Sequence, residues 1–417
     1  MPGSPQLAIL CSVLRRLGFL FCVGLLTGLV TAPSRAAEPP QTAVALPFSN
    51  LTAKESLDWV GESLSWALFE AFSGDLPLVV GPDERDEVLK QMNVRKFAPL
   101  TDATVIEIAA NLNSAYVVSG SFEAPPVAPG AAAAIKLKAK LLNARKLHLI
   151  KTFEISGPVA ELSSMEVRLA WRILAQLRPA PIAGDAGEQE YLRTHPPVRL
   201  DALERYVRGL MASGYDQKAK LFTAAARLQP NYSNANYQLG LLSYGRRDYR
   251  NAAQWLAQVD SGDAHLHDAL FRLGLARYRG GDYRRAADAF RQLSAATPLS
   301  EVFNNLAVAQ MASGDTEAQS NFRKAMELDP ADTDYHFNAG YDLLRRGDFD
   351  GSTHEFEQVL QRRPDDSQAA EMLRRARAKE AVHPGELRAE PLERLKTDYD
   401  ETVWRQLKAI LDPAGAR

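Results

Sequence analysis

Cysteine is almost missing from this chain: the only two, Cys11 and Cys22, fall within its first 22 residues. Beyond them there can be no disulfide, no thiolate metal site and no cysteine nucleophile. An excess of basic charge is missing too, with 49 Lys and Arg against 51 Asp and Glu. Nucleic acid attracts proteins through clustered positive charge, so binding to it has no electrostatic basis here. The pairs Arg345-Arg346, Arg362-Arg363 and Arg374-Arg375 read instead as solvated helix faces and helix C-terminal ends. The charge-free apolar run Leu17 to Val30 has 14 residues, fewer than the roughly 20 that cross a bilayer. With Arg15-Arg16 before it and Ser34-Arg35-Ala36 after it, residues 1–36 read as an export signal, for which cleavage is the expectation and retention as an anchor the alternative. The expected mature chain is periplasmic or envelope-associated, has no membrane span, and carries 46 basic against 51 acidic residues.

Chemistry-bearing constellations are equally scarce. His265-Leu266-His267 with Asp263 and Asp268 is a grouping that could pass for a metal site, but it falls at an inter-helix turn without a third well-placed ligand and reads as a solvated loop. The other histidines are scattered, without a serine, carboxylate or glutamate-histidine pairing suited to catalysis. Glycine-rich points are confined to repeat turns such as Gly280-Gly281 and to the loop around Gly130, without the spacing of a phosphate-cradling loop. The expectation is therefore a protein that is not an enzyme and has no cofactor, metal or catalytic residue.

What is present divides the chain in two. From Thr42 to about residue 178 the pattern alternates strand and helix. Thr42–Phe48 and Leu76–Val80 read as strands, and Leu57, Val60, Leu64, Leu68 and Phe72 recur at helical spacing between them. Pro82–Met92 and Asp102–Asn111 read as helices, Ala115–Phe122 as a strand. Ile135, Leu137, Ala139 and Leu141 alternate with Lys136, Lys138 and Lys140, which predicts a strand with one wet face. Leu147–Ile155 completes a hairpin, and Val159–Leu177 is a final helix. The fold class expected here is an α/β domain with a mixed sheet, over 42–178. The segments Val44-Ala45-Leu46-Pro47-Phe48-Ser49-Asn50-Leu51, Gly61-Glu62-Ser63-Leu64, Ile108-Ala109-Ala110-Asn111-Leu112 and Tyr116-Val117-Val118-Ser119-Gly120-Ser121-Phe122 resemble the TolB amino-terminal-like domain, related to the CsgG and FlgO group. That resemblance implies an exported domain engaging envelope components, with no chemistry of its own.

A stretch rich in Pro, Gly and acidic residues, 179–199, reads as a linker allowing some relative motion. Past it, Gly240, Gly274, Ala307 and Gly340 follow one another at spacings of 34, 33 and 33. Each opens a stretch ending in Arg-Asp-Tyr, Gly-Asp-Tyr, Gly-Asp-Thr or Gly-Asp-Phe. Such a period marks stacked helix pairs whose small residue sits where the helices cross. Pro298, Pro330 and Pro364 stop the second helix of a pair. From Ser233 to Pro364 the pattern resembles tetratricopeptide repeats, an all-α solenoid, with a degenerate repeat from Leu200 to Pro230 before it. The array is expected over 200–364, with capping and docking helices over 365–417, the last from the stripe Leu392, Leu395, Val403, Trp404, Leu407, Leu411.

The resemblance implies that the first helix of each pair lines a groove for a partner protein or peptide. The positions that carry over are Asn234, Tyr237 and Tyr244, then Phe271, Tyr278 and Arg279, then Asn304 and Met311, and finally Phe337, Tyr341 and Arg345. So lined, the groove suits an apolar or amphipathic segment. Leu275 and Val308 read as packing between repeats, and they replace an asparagine used by repeats that grip a terminal carboxylate. The function expected is a protein-protein interaction scaffold. The alternative is a ligand-sensing accessory protein whose α/β domain binds a small molecule.

Overall fold

The computed structural model describes residues 42–52, 54–76, 78–125, 133–177, 185–382, 392–401 and 404. The expected export signal lies outside the described residues, as do His383 and the Leu407 and Leu411 end of the C-terminal stripe. The chain divides into two compact units. Among the described residues, the larger holds those from 42 to 318 and from 395 onward, the smaller those from 319 to 394.

The larger unit opens with a mixed sheet. Strands β1 (Ala43–Ala45) and β2 (Ser49–Asn50) both pair in parallel with β3 (Tyr116–Glu123), and β4 (Ala134–Asn143) and β5 (His148–Pro158) continue it antiparallel. The expected strand at Leu76–Val80 contributes one bridge, Val79 to Ala43. Alternation in β1 and β3 sends Ala43, Ala45 and Val118 to one face and Val44 and Val117 to the other. The first face is covered by α1 (Asp58–Asp75) and α4 (Leu162–Leu177), the second by α2 (Pro82–Gln91) and α3 (Asp102–Asn111). In β4, Ile135, Leu137, Ala139 and Leu141 are buried, while Lys138 reaches Glu154 across the ladder at 3.0 Å.

Residues of the segment Gly61-Glu62-Ser63-Leu64 have mechanical roles. A Cβ on Gly61 would stand 2.2 Å from the Phe48 carbonyl oxygen, so only glycine lets α1 approach the strand. Next to it, Glu62 pairs with the buried Arg85 of α2 at 2.7 Å.

Residues 185–194, expected as linker, form helix α5 (Asp185–Thr194), tied to α4 by Arg172 donating to Glu188 at 3.2 and 3.3 Å. The flanks carry the prolines and Gly184; the segment itself, Gly187 apart, has an acidic first residue and mostly good helix formers. After it come the helix pairs α6 (Leu200–Met211) with α7 (Tyr215–Leu228), α8 (Ser233–Gly245) with α9 (Tyr249–Leu256), and α10 (Leu266–Arg279) with α11 (Tyr283–Ala296), followed by α12 (Ser300–Ser313). The core does not stop at the linker. Leu64, Leu68 and Phe72 of α1 belong to the same apolar cluster as Leu203, Tyr206, Phe222 and Ala235, so the sheet and the first repeats share one interior.

The smaller unit holds α13 (Ala318–Leu328, its first residue in the larger unit), α14 (Thr333–Arg345), α15 (Phe349–Arg362) and α16 (Ser367–Ala378). In both units the aspartate of the recurring dipeptide is a helix cap. Asp248, Asp282 and Asp348 accept from the main-chain N–H groups of Asn251, Arg285 and Gly351. The residue before it adopts positive φ, which Gly281, Gly314 and Gly347 do without strain and Arg247 does at φ 61°.

Candidate functional site

The first helices of the repeats place one side chain apiece, two residues before the small crossing residue, in a common register: Arg272, Asn305 and Asn338. Each of the three holds main chain. In the larger unit, Asn305 Nδ2 donates to the Lys396 carbonyl at 2.7 Å and the Lys396 N–H donates to Asn305 Oδ1 at 2.8 Å. Arg272 Nη1 donates to the Thr397 carbonyl at 3.0 Å, Phe271 packs on the Tyr399 ring at 4.6 Å, and His267 meets Glu401 at 2.7 Å. Residues 395–401 thus run along α10 and α12.

In the smaller unit, Asn338 repeats the two-bond grip on Arg394, donating to its carbonyl at 2.9 Å and accepting from its N–H at 2.8 Å. The Arg394 guanidinium lies 3.7 Å over the Phe337 ring and pairs with Asp334 at 3.3 Å and Asp366 at 2.8 Å. A planar cation with several fixed donors suits such a seat of ring face and two carboxylates.

Two expectations are thereby corrected. Residues 392–400, read as a helical stripe, are not helical; a helix would spend on itself the backbone groups that Asn305, Asn338 and Arg272 hold. The face expected to be uncommitted is occupied by the chain's own tail.

The expected groove residues scatter. Phe271 and Phe337 touch the tail, and the fully buried Asn304 donates to Asn305 Oδ1 at 3.1 Å. Asn234 instead donates to Glu70 at 2.7 Å. Tyr237 donates to Asp268 at 2.7 Å and stacks on His265, whose pKa burial lowers. Tyr244 meets Tyr249 edge-on at 5.5 Å, and Arg279 is exposed near it. Tyr278 is buried against Tyr283, Met311 is buried, and Tyr341 is buried with Arg345 6.0 Å over its ring. Leu275 and Val308 are buried. Reading aromatic residues as groove anchors missed Asn305, Asn338 and Arg272. Their shared position before the small residue was the available signal, but nothing local indicates that the tail returns to them.

Among the described residues, no group of three or more His, Cys, Asp and Glu side chains could hold a metal ion, and no helix is long and apolar enough to cross a membrane.

No curated protein matches the chain. Among solved structures it is similar to YrrB, described as a TPR protein with an unusual peptide-binding site, at 17% identity and TM-score 0.39, covering 41% of this chain and 91% of that one. It is similar also to MamA from Desulfovibrio magneticus RS-1, at 21% identity and TM-score 0.34, covering 45% and 100%. A third is the C-terminal part of a TPR repeat-containing protein from Cytophaga hutchinsonii, at 17% identity and TM-score 0.36, covering 50% and 85%. Residues 268–300, which build the α10 and α11 pair, match the tetratricopeptide repeat family, and the helix pairs around them are of the same kind.

Proposed function

We propose that this protein is a non-enzymatic, exported interaction scaffold of the cell envelope, whose repeats take an extended partner segment carrying an arginine in place of the chain's own tail. The observation that carries the reading is the Arg394 seat. Asn338 meets both main-chain groups of that residue, and Phe337, Asp334 and Asp366 receive its guanidinium. Backbone contacts give affinity without regard to sequence, and the side-chain seat supplies the choice. An apolar or amphipathic segment fits this chemistry less well than a basic one, because two carboxylates would be left facing it. The charge-free run before Ala36 supports export, and the TolB-like motifs support an envelope component as the contact of the α/β domain.

The test is a chain ended at residue 391, titrated with a labelled peptide of residues 392–401. Saturable binding is expected, weakened at least tenfold when the peptide carries Arg394→Ala; a peptide that does not bind, or binds equally with alanine, sinks the groove reading. Envelope fractionation with N-terminal sequencing of the mature chain checks export. Crosslinking in cells then identifies the segment that displaces the tail.

A further inference from the structure

Away from the groove, a cavity of about 790 Å3 opens in the larger unit where α1 and α4 meet α6, α8 and the turn at 260–267. Two carboxyl groups line it from adjacent helices, Glu70 on α1 and Glu166 on α4. Glu166 is 4% exposed and its Oε1 has no hydrogen-bond partner. Glu70 Oε1 has only neutral donors, Asn234 at 2.7 Å and the Tyr206 hydroxyl at 3.5 Å. Burying a carboxyl without a counter-charge favours its neutral form, and such perturbed groups lining a cavity cluster at functional sites.

The basic groups that share the lining are already engaged. Arg193 is bonded to Glu190 at 2.6 and 2.8 Å, His195 Nδ1 lies 3.0 Å from the Tyr191 carbonyl, and His267 Nδ1 lies 2.7 Å from Glu401. Asp260 and Asp263 add acidic groups to the same wall, and Trp66, Tyr206 and Tyr232 put aromatic side chains in the lining. The result is a pocket of small-molecule size with unmatched acidic character and aromatic walls. We propose that it binds a small organic cation, a compound with at least one protonated amine, using Glu166 and Glu70 as counter-ions and the neighbouring rings as cation-binding faces. Ring faces favour an amine over a metal ion, and the described residues provide no converging metal-ligand set.

Burial pushes both carboxyls up to about 8, Glu70 further raised by Asp263 and Glu166. An amine must therefore ionise them as it binds, releasing protons. Its affinity should rise with pH, roughly tenfold per unit below 8 for each carboxyl that must ionise, and level off above it while the amine keeps its charge.

The experiment is calorimetric titration of the full chain with 1,4-diaminobutane, 1,5-diaminopentane and choline, with 1,4-butanediol as the neutral control, at pH 6, 7 and 8. Saturable binding of at least one amine, absent for the diol and strengthening with pH, is expected. Glu166→Gln should weaken it at least tenfold and flatten the pH slope. Gly74→Leu is the second variant, since Gly74 lines the cavity and an added Cβ there meets nothing within 4 Å; it too should weaken binding. No amine binding, equal binding of the diol, or an unaffected Gly74→Leu variant overturns the proposal. Asn338→Ala should leave amine binding unchanged, so failure here and failure of the groove are told apart.

Discussion

The side-chain amide of Asn305 pairs with the main chain of Lys396 as one peptide group pairs with another in a sheet, giving one bond and receiving one at 2.7 and 2.8 Å. An asparagine amide has the same donor and acceptor as a peptide, so it can hold an extended segment whatever its side chains. Each bond contributes about 1 kcal/mol net. In the full chain, Asn305→Ala should therefore loosen residues 395–401 while leaving the fold intact. Hydrogen exchange at the Lys396 amide should speed up roughly thirtyfold, with some fall in melting temperature because the buried Asn304 also loses its acceptor on Asn305; an unaltered exchange rate would show that the grip contributes nothing.

Arg85 and Glu62 form a different kind of pair. Both are almost wholly buried, their side chains 1% and 4% exposed, and meet at 2.7 Å. Removing Arg85 leaves the buried Glu62 carboxylate with only the Trp66 indole N–H at 3.1 Å and the more distant Lys96 ammonium at 3.7 Å. Arg85→Met should cost ~3 to 5 kcal/mol in denaturant unfolding. Adding Glu62→Gln to it should restore part of that loss. If the double variant is less stable than the single one, the charge argument is wrong.

The crossing glycines are not equivalent. A Cβ at Gly274 would stand 2.6 Å from the buried Phe290 ring, whereas at Gly340 the nearest atoms lie 3.1 to 3.3 Å away. Gly274→Ala should destabilise by ~1 to 3 kcal/mol through overpacking. At Gly340 the gain in helix propensity, about 1 kcal/mol, should offset most of the milder crowding. Equal melting temperatures for the two variants would refute this reading.

Glu70 and Glu166 set the pH dependence of stability. Desolvation raises both from the ordinary glutamate range to about 8. The folded state therefore holds protons that the unfolded chain gives up near pH 4.5, and the stability they contribute, fully present below that pH, is lost as pH rises towards 8. Thermal unfolding should occur at higher temperature at pH 5.5 than at pH 8.5, and the double variant Glu70→Gln, Glu166→Gln should flatten the difference. A melting temperature that climbs over this window would contradict the assignment.

The repeat period, the small residue at each crossing, the recurring aspartate before each second helix and the alternation in β4 were legible in the sequence because each is a local rule. A helix pair of fixed length must cross at a fixed place, and a cap must sit at a helix start. Asp282 and Gly274 declare themselves within one repeat. So do the apolar stripe of α1 and the wet face of Lys136, Lys138 and Lys140.

Other features depend on segments far apart in the chain. That Arg85 neutralises Glu62, that the interior of the sheet runs on through Leu203 and Phe222, and that Glu166 faces a cavity beside Glu70 all follow from how separate helices pack. The seating of Arg394 under the hand of Asn338 links residues 56 apart. By itself the sequence determined a mixed-sheet domain followed by helix pairs, because periodicity and turn chemistry act over a few residues. Only the tertiary structure decided which side chains meet across that framework, since contacts between distant segments depend on the register in which whole elements pack.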